Sequence, residues 1–385
     1  MIINIFDVVN SYRDISPDLL AATLTPDEQL SSDFQTFVRA NTRRCPFSDM
    51  YVFGDSLCDI GNAFDTTQKA LGEGRPPSPP YFQGRFSNGP VWVEYLATLL
   101  GLTSRRNTNF AIGGANTGSD NTFIPNNPLG LPGLQQQINS FIGDLKAVNR
   151  LADCEALYII WAGANDYLGA GLTQPAMPIK NLSDAVTSLA AVGARHIMVL
   201  NLPDLGELPA TRRNSQQSAL LNALTREHNV GLAKSLSSLS LGSDVNIILF
   251  DVHSLFNQVL TNPTKFGLTN VTDSQLDQLE HLQNYTDKFL FWDVIHPTTT
   301  SHMIFAKFAF SLLAPAVEAI ADRQRCVCRA AHCYLNALFR ATRTEIFKAR
   351  ESSVRQTCRT GAHRRSRNRG GTIARAEVAV PPVAA

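Results

Sequence analysis

Five residues of the 385-residue chain have the types and spacing for nucleophilic chemistry: Ser56, Gly114, Asn165, Asp293 and His296. A serine hydroxyl is a weak nucleophile until a base takes its proton. His296 is the candidate base. Pro297 behind it disfavours helical backbone at His296, so the ring is offered from an extended loop. Asp293 stands three residues earlier, a spacing at which a turn brings its carboxylate to the imidazole Nδ1. That contact would fix the tautomer, leave Nε2 for Ser56 and stabilise the imidazolium. Attack on a carbonyl also needs donors for the charge that develops on oxygen, each worth roughly a hundred- to a thousandfold in rate. The backbone N–H of Ser56, the N–H of Gly114 and the side-chain amide of Asn165 are the candidates. Gly114 has no Cβ to block the approach of a substrate. Each residue also has a bland alternative: a strand-to-helix turn for Ser56, a tight turn for Gly114, an Asx turn for Asn165, a loop cap for Asp293 and a core histidine for His296. His302 is expected on the last helix and outside the set.

These residues must be held by the elements that precede them. Ser56 follows Met50-Tyr51-Val52-Phe53-Gly54, an apolar run that reads as a strand buried on both faces. Gly114 follows a second run at about 108–112, and Asn165 a third at about 156–162. His196 to Leu200 and Val245 to Phe250 are two more. Five such runs alternating with helical segments predict a five-stranded parallel sheet with helices on both faces. The expected architecture is α/β, a flavodoxin-like three-layer α/β/α sandwich. Open sheets of this kind bind ligands beyond the carboxyl ends of their strands, where Ser56, Gly114 and Asn165 all fall. Helices are expected from an Asn88 cap to Gly101, over about 133–151, from Asn181 to Gly193, over about 211–239 and from Thr298 to Leu313. The Gly113 to Pro132 segment is long enough to be a site loop. Residues 263–292 are polar and irregular, with a helix near 273–283, and read as a lid or wall over the sheet edge.

Gly54-Asp55-Ser56-Leu57, Gly113-Gly114, Gly163-Ala164-Asn165-Asp166 and Asp293-Val294-Ile295-His296-Pro297 occur in that order. The set resembles the GDSL (SGNH) hydrolase family, over about Met50 to Leu313. Pro80-Tyr81-Phe82-Gln83-Gly84-Arg85-Phe86-Ser87-Asn88-Gly89-Pro90, Asn201-Leu202-Pro203-Asp204-Leu205-Gly206 and Phe291-Trp292-Asp293 look like its lipase and acylhydrolase branch. Cys58 and Ile60 depart from the small hydroxylated residues more usual there. The resemblance implies the SGNH hydrolase fold and a serine esterase or lipase working through an acyl-enzyme on Ser56. It implies the Ser56–His296–Asp293 triad, an oxyanion hole from Ser56, Gly114 and Asn165, and no cofactor or metal. The implied partner is a small-molecule ester: a lipid, a short acyl ester or an acetylated sugar. An acyltransferase would use the same site with an alcohol in place of water, and a catalytically silent binding protein would keep the fold. The α/β-hydrolase alternative needs Gly-x-Ser-x-Gly, and Cys58 stands where its last glycine would be.

Composition bounds the rest. The chain is 44% hydrophobic and 17% charged, enough for one large core. Its net charge of +1 hides an asymmetry. Residues 321–385 hold 14 Lys and Arg against 4 Asp and Glu, while the rest has a net charge of −9. A mildly acidic body argues against nucleic acid as its partner. Three regions follow: a loosely packed extension over 1–49, a hydrolase domain over 50–320 and a largely disordered Arg-rich tail over 321–385. The run from His363 to Arg369 is read as a solvated tail before a binder of nucleic acid or anionic lipid. Cys326, Cys328, His332 and Cys333 are zinc-type ligands at a spacing that fits no standard site. No stretch of 18 apolar residues is present, so no membrane span is expected. Met1 to Arg44 lacks a basic n-region and an apolar core, so the default location is cytoplasmic, although the family has many secreted members. Met1 and Met50 both stand as possible starts, and a monomer is expected.

Overall fold

The computed structural model describes residues 2–13, 32, 34–38, 47–279 and 288–313. The chain divides into Met1–Ile320 and Ala321–Ala385. The expected tail, with Cys326, Cys328, His332 and Cys333, lies outside the described residues.

Four parallel strands, β1 (Met50–Gly54), β2 (Leu157–Trp161), β3 (His196–Leu200) and β4 (Asn246–Phe250), lie side by side in that order. Val52 pairs with Ile159, and Ile159 with Met198. Because strand side chains alternate between faces, one sheet sorts its residues into two cores. Val52, Leu157, Ile159, Trp161, Met198 and Leu200 belong to one, and Phe53, Tyr158, Ile160, Ile197 and Val199 to the other. Runs apolar on both faces are what a sheet covered twice requires.

The expected fifth strand at 108–112 is corrected: it is an irregular edge segment. The N–H of Val52 donates to Thr108 O, and the N–H groups of Phe110 and Ile112 donate to Val52 O and Gly54 O. The segment therefore runs parallel beside β1, but only Asn109 forms a ladder bridge, with Val52. Two asparagines break the pattern. The Asn109 side chain accepts from the N–H of Ala111 at 3.0 Å, bending the chain locally. Asn62 Nδ2 donates to Asn109 O and Ala111 O, covering the outer edge. Counting this segment as second in the chain, the spatial order is 2-1-3-4-5, the flavodoxin-like order, whose ligand crevice lies at the switch point between its first and third strands. Here those are β1 and β2.

Helices α1 (Ile5–Ser11), α2 (Asn62–Leu71), α3 (Trp92–Leu99), α4 (Leu134–Ala147), α5 (Ala164–Leu168), α6 (Ala176–Ala191), α7 (Ser215–Ser237), α8 (Val252–Thr261) and α9 (299–313) complete the layers. Leu134, Ile138 and Phe141 of α4, Leu182 and Leu189 of α6, and Leu232 of α7 cover the Phe53 face. Trp92 and Leu96 of α3, Leu255 and Phe256 of α8, and Phe305 and Ala309 of α9 cover the other. Asn88 does not cap α3. Its side-chain Oδ1 accepts the N–H of Thr299 at 2.8 Å, while Glu94 Oε2 takes the N–H of Val91 at 2.9 Å. The 211–239 stretch breaks before Ser215, where Asn214 caps α7 by accepting the N–H of Gln217. Helix α6 starts five residues before Asn181, because Pro178 sits in its first turn, where no N–H is needed. In the 263–292 region, Asn270–Ser274 pairs in parallel with Phe289–Phe291, and Gln275–Gln278 forms one helical turn.

Within 1–49, expected to be loosely packed, the described residues include an anchored helix. Ile5, Val9 and Tyr12 are buried, and the N–H of Ile3 donates to Leu168 O at 2.7 Å. Among the described residues, no helix is long and apolar enough to cross a membrane.

Candidate active site

Ser56 stands two residues past the end of β1, and Gly54 makes the turn possible. Its φ is +156°, and a Cβ there would lie 2.2 Å from Trp161 O on β2. Gln137 of α4 grips the same residue from behind. Its Oε1 accepts the N–H of Gly54 and its Nε2 donates to Gly54 O, both at 2.9 Å. An amide side chain thus takes the N–H of Gly54 and shares its carbonyl with the N–H of Ile112 at the point where β1 ends.

His296 Nε2 lies 3.0 Å from Ser56 Oγ, and His296 Nδ1 lies 2.7 Å from Asp293 Oδ2. The turn that joins them is held by the same carboxylate. Asp293 Oδ1 accepts the N–H groups of Ile295 and His296 at 2.7 and 2.6 Å. Asp293 and His296 are fully buried, and Ser56 is 5% exposed. Burial alone would raise the Asp293 carboxyl. The charge of His296 and the hydrogen bonds from His296 and Ile295 outweigh it and hold the carboxyl below its ordinary range. A hydroxyl, an imidazole and an ionised carboxylate in this series can pass a proton from serine to histidine as the oxygen attacks a carbonyl.

The turn bearing Gly113 and Gly114 is bolted to the serine loop through Asp59. This buried carboxylate accepts the N–H groups of Gly61, Asn62, Ala63 and Gly113 at 2.7, 2.5, 3.0 and 2.9 Å. Gly114 has φ +77°, and a Cβ on it would meet Phe123 N at 2.3 Å, so both backbone and packing demand glycine here. Asn165, in the first turn of α5 after β2, donates through Nδ2 to Ala115 O at 3.1 Å and points the same amide at Asp55 Oδ2, 3.4 Å away. Asp166 beside it accepts the N–H and hydroxyl of Thr117, tying the site loop to α5.

Ser56, Asn165 and His296 line one cleft. Gly114 is not among its lining residues; it is one residue from Ala115, whose carbonyl Asn165 holds. Except for Asp55, Ser56, Asn165 and His296, the side chains lining this cleft are apolar or aromatic. A more open groove lined by Asn62, Lys69, Arg106 and Gln136 contains none of the five predicted residues. His302 is buried on α9, where neither ring nitrogen has a protein partner, and burial pushes it down to about 3. Among the described residues, no cluster of three or more His, Cys, Asp or Glu is placed to hold a metal ion.

The profile of the family described as GDSL-like Lipase/Acylhydrolase matches residues 50–309, more than half of the chain. The chain belongs to that family. Its relatives include the thermolabile hemolysin of Vibrio parahaemolyticus, 30% identical over 273 residues, which are 66% of this chain and 61% of the relative. The chain therefore spans less than two thirds of that protein. The phosphatidylcholine-sterol acyltransferase of Aeromonas hydrophila is 29% identical over 339 residues, covering 74% of this chain and 95% of the relative. A GDSL esterase/lipase of Arabidopsis thaliana is 28% identical, covering 74% and 87%.

Two residues of this GDSL protein take places in the site that sequence reasoning did not assign. The Tyr81 hydroxyl donates to Asp293 Oδ2 at 2.7 Å, deep in the core, and shares that oxygen with His296. Burial first, and then the adjacent Asp293 charge, raise the Tyr81 phenol well above its ordinary value, so it stays a donor. Asp55 lines the cleft, and burial pushes its carboxyl up to about 7 against the N–H of Leu57 and the charge of His296. Tyr81 lies 212 positions from its partner, and no local spacing signals such a contact. Asp55 belongs to the Gly54–Leu57 block, where attention goes to the neighbouring serine.

Proposed function

We propose that this GDSL protein hydrolyses carboxylic esters through an acyl-enzyme on Ser56. One observation carries the reading: a continuous hydrogen-bonded series from Ser56 Oγ through His296 to Asp293, opening on an apolar cleft. His296 Nε2 takes the serine proton as Oγ attacks the ester carbonyl, and Asp293 stabilises the resulting imidazolium. The carbonyl oxygen, now negative, is taken by the N–H groups of Ser56 and Gly114 and by Asn165 Nδ2. Swinging from Asp55 Oδ2 to that oxygen gives the Asn165 amide a stronger acceptor in the transition state than at rest. The imidazolium returns its proton to the departing alcohol, leaving the acyl group on Ser56. Water then attacks with His296 again as base, and the acid leaves.

The apolar lining favours a lipid or acyl ester over an acetylated sugar. The Aeromonas relative's name supports a second reading, in which an alcohol replaces water in the second half. Ser56→Ala should abolish ester turnover and covalent labelling by a fluorophosphonate while leaving the melting temperature within a few degrees. Turnover equal to the parent chain would overturn the assignment. Added alcohol acceptors separate the two readings: a transferase yields a new ester where a hydrolase yields only acid.

A further inference from the structure

The cleft beside Ser56 is not completed by the family-matched residues alone. Ile5, 45 positions before that match begins, lines it together with Ser56 and His296 and is 2% exposed. Ile5 is the first residue of α1, and the helix is held on several sides. Asn4 caps it by accepting the N–H of Phe6 at 3.0 Å. The N–H of Ile3 donates to the carbonyl of Leu168, itself a cleft residue. Phe6 packs edge-on against Phe123 at 6.0 Å, and the Tyr12 hydroxyl donates to Asp277 Oδ1 at 2.8 Å. Ile5 shares its apolar cluster with Trp292, and Ile295, another cleft residue, packs against that cluster.

We infer that Ile5 is a specificity-determining residue that limits the length of acyl chain the cleft accepts, an inference that rests on the esterase reading above. The argument is steric. The cleft is apolar, so its natural occupant is the hydrocarbon part of the ester. One wall of it is a branched side chain on a helix pinned at both ends, which cannot move aside for a longer chain. One methylene more or less in an apolar pocket changes kcat/KM by about 10- to 200-fold, so the size of residue 5 should be read directly in the chain-length profile.

The experiment uses the full chain and p-nitrophenyl esters from acetate to dodecanoate, with Ile5→Val, Ile5→Ala and Ile5→Phe. The ratio of kcat/KM for decanoate over acetate should rise at least about tenfold in Ile5→Ala and fall at least about tenfold in Ile5→Phe, with Ile5→Val between parent and Ala. Folding of each variant is checked by its melting curve. Ile5→Val removes a single methylene and keeps the test alive if either larger change unfolds the chain. Variants that fold and superimpose on the parent profile overturn the inference. A parent chain that turns over no ester and takes no fluorophosphonate on Ser56 overturns the esterase reading instead. In that case decanoate binding by calorimetry decides on Ile5. Affinity rising in the order Phe, Ile, Ala upholds it as a wall, and equal affinities reject it.

Discussion

Replacing Asp293 by asparagine tests the site with a change of one atom. Asp293 Oδ1 accepts two backbone N–H groups, from Ile295 and His296, while Oδ2 faces His296 Nδ1 and the Tyr81 hydroxyl. In Asp293→Asn the amide oxygen must stay on the side of the two backbone donors, because turning it would set an NH2 against both in a fully buried place. Nδ2 then faces His296 Nδ1 and donates to it. A histidine that accepts at Nδ1 carries its own proton on Nε2, which is 3.0 Å from Ser56 Oγ. The base is thereby blocked. The Tyr81 hydroxyl can rotate to accept the second amide hydrogen, but its own proton then loses the acceptor it has in the parent, Asp293 Oδ2, which adds the cost of one unpaired buried donor. The same replacement in a serine protease triad lowers kcat about 10⁴-fold, or about 5.4 kcal/mol of barrier. Stability should change by no more than about 3 kcal/mol, the scale of one charge-assisted hydrogen bond. Ester kcat/KM and the rate of fluorophosphonate labelling should fall together, since both need the deprotonated serine. A folded variant with activity within tenfold of the parent would refute the assigned roles of Asp293 and His296.

Two further outcomes follow from the geometry. Asn165→Ala should lower kcat about 100- to 1,000-fold with little change in KM, because the bond to oxygen strengthens only in the transition state; a pure KM effect would place Asn165 in substrate binding. Asp55 has an ordinary value of 3.8 and is raised by burial to about 7 in the folded chain, so between those values folding takes up a proton and stability falls as pH rises. Asp55→Asn removes that dependence, and its melting temperature relative to the parent should rise between pH 5 and pH 8; a constant difference refutes the shift.

What could be read from the residues had local causes. Runs apolar on both faces gave away β1 to β4, and a proline after His296 with an aspartate three residues before gave away the contact between the Asp293 carboxylate and the His296 ring. What escaped was decided by side chains reaching across the chain. The 108–112 run has strand composition, yet Asn109 and Asn62 spend their amides on its backbone. Asn88 has the right chemistry for a helix cap but does not cap α3, because its side chain takes the N–H of Thr299, in the first turn of the distant α9. Asn270–Ser274 pairs as a strand through its backbone, although its polar residues show no alternation. Ile5 reaches the site from a segment with no chemical signature of its own, and Tyr81 from the Pro80–Pro90 block, whose resemblance to the lipase branch assigns that tyrosine no role.

The grip of Gln137 on Gly54 has a consequence for how such a site comes into being. The two residues are 83 positions apart, and the serine and its histidine are 240 apart. A chain made from its N-terminus exposes Ser56 early, but the turn that presents it is not set until α4 docks. Its proton has no acceptor until nearly the whole sandwich has been synthesised and closed on itself. Such long closures come late in folding. Ser56, the proposed nucleophile, is among the first parts of the domain to be made and among the last to gain its partner. A nascent or misfolded copy therefore carries an inert hydroxyl, and ester turnover, where it is found, counts only finished molecules.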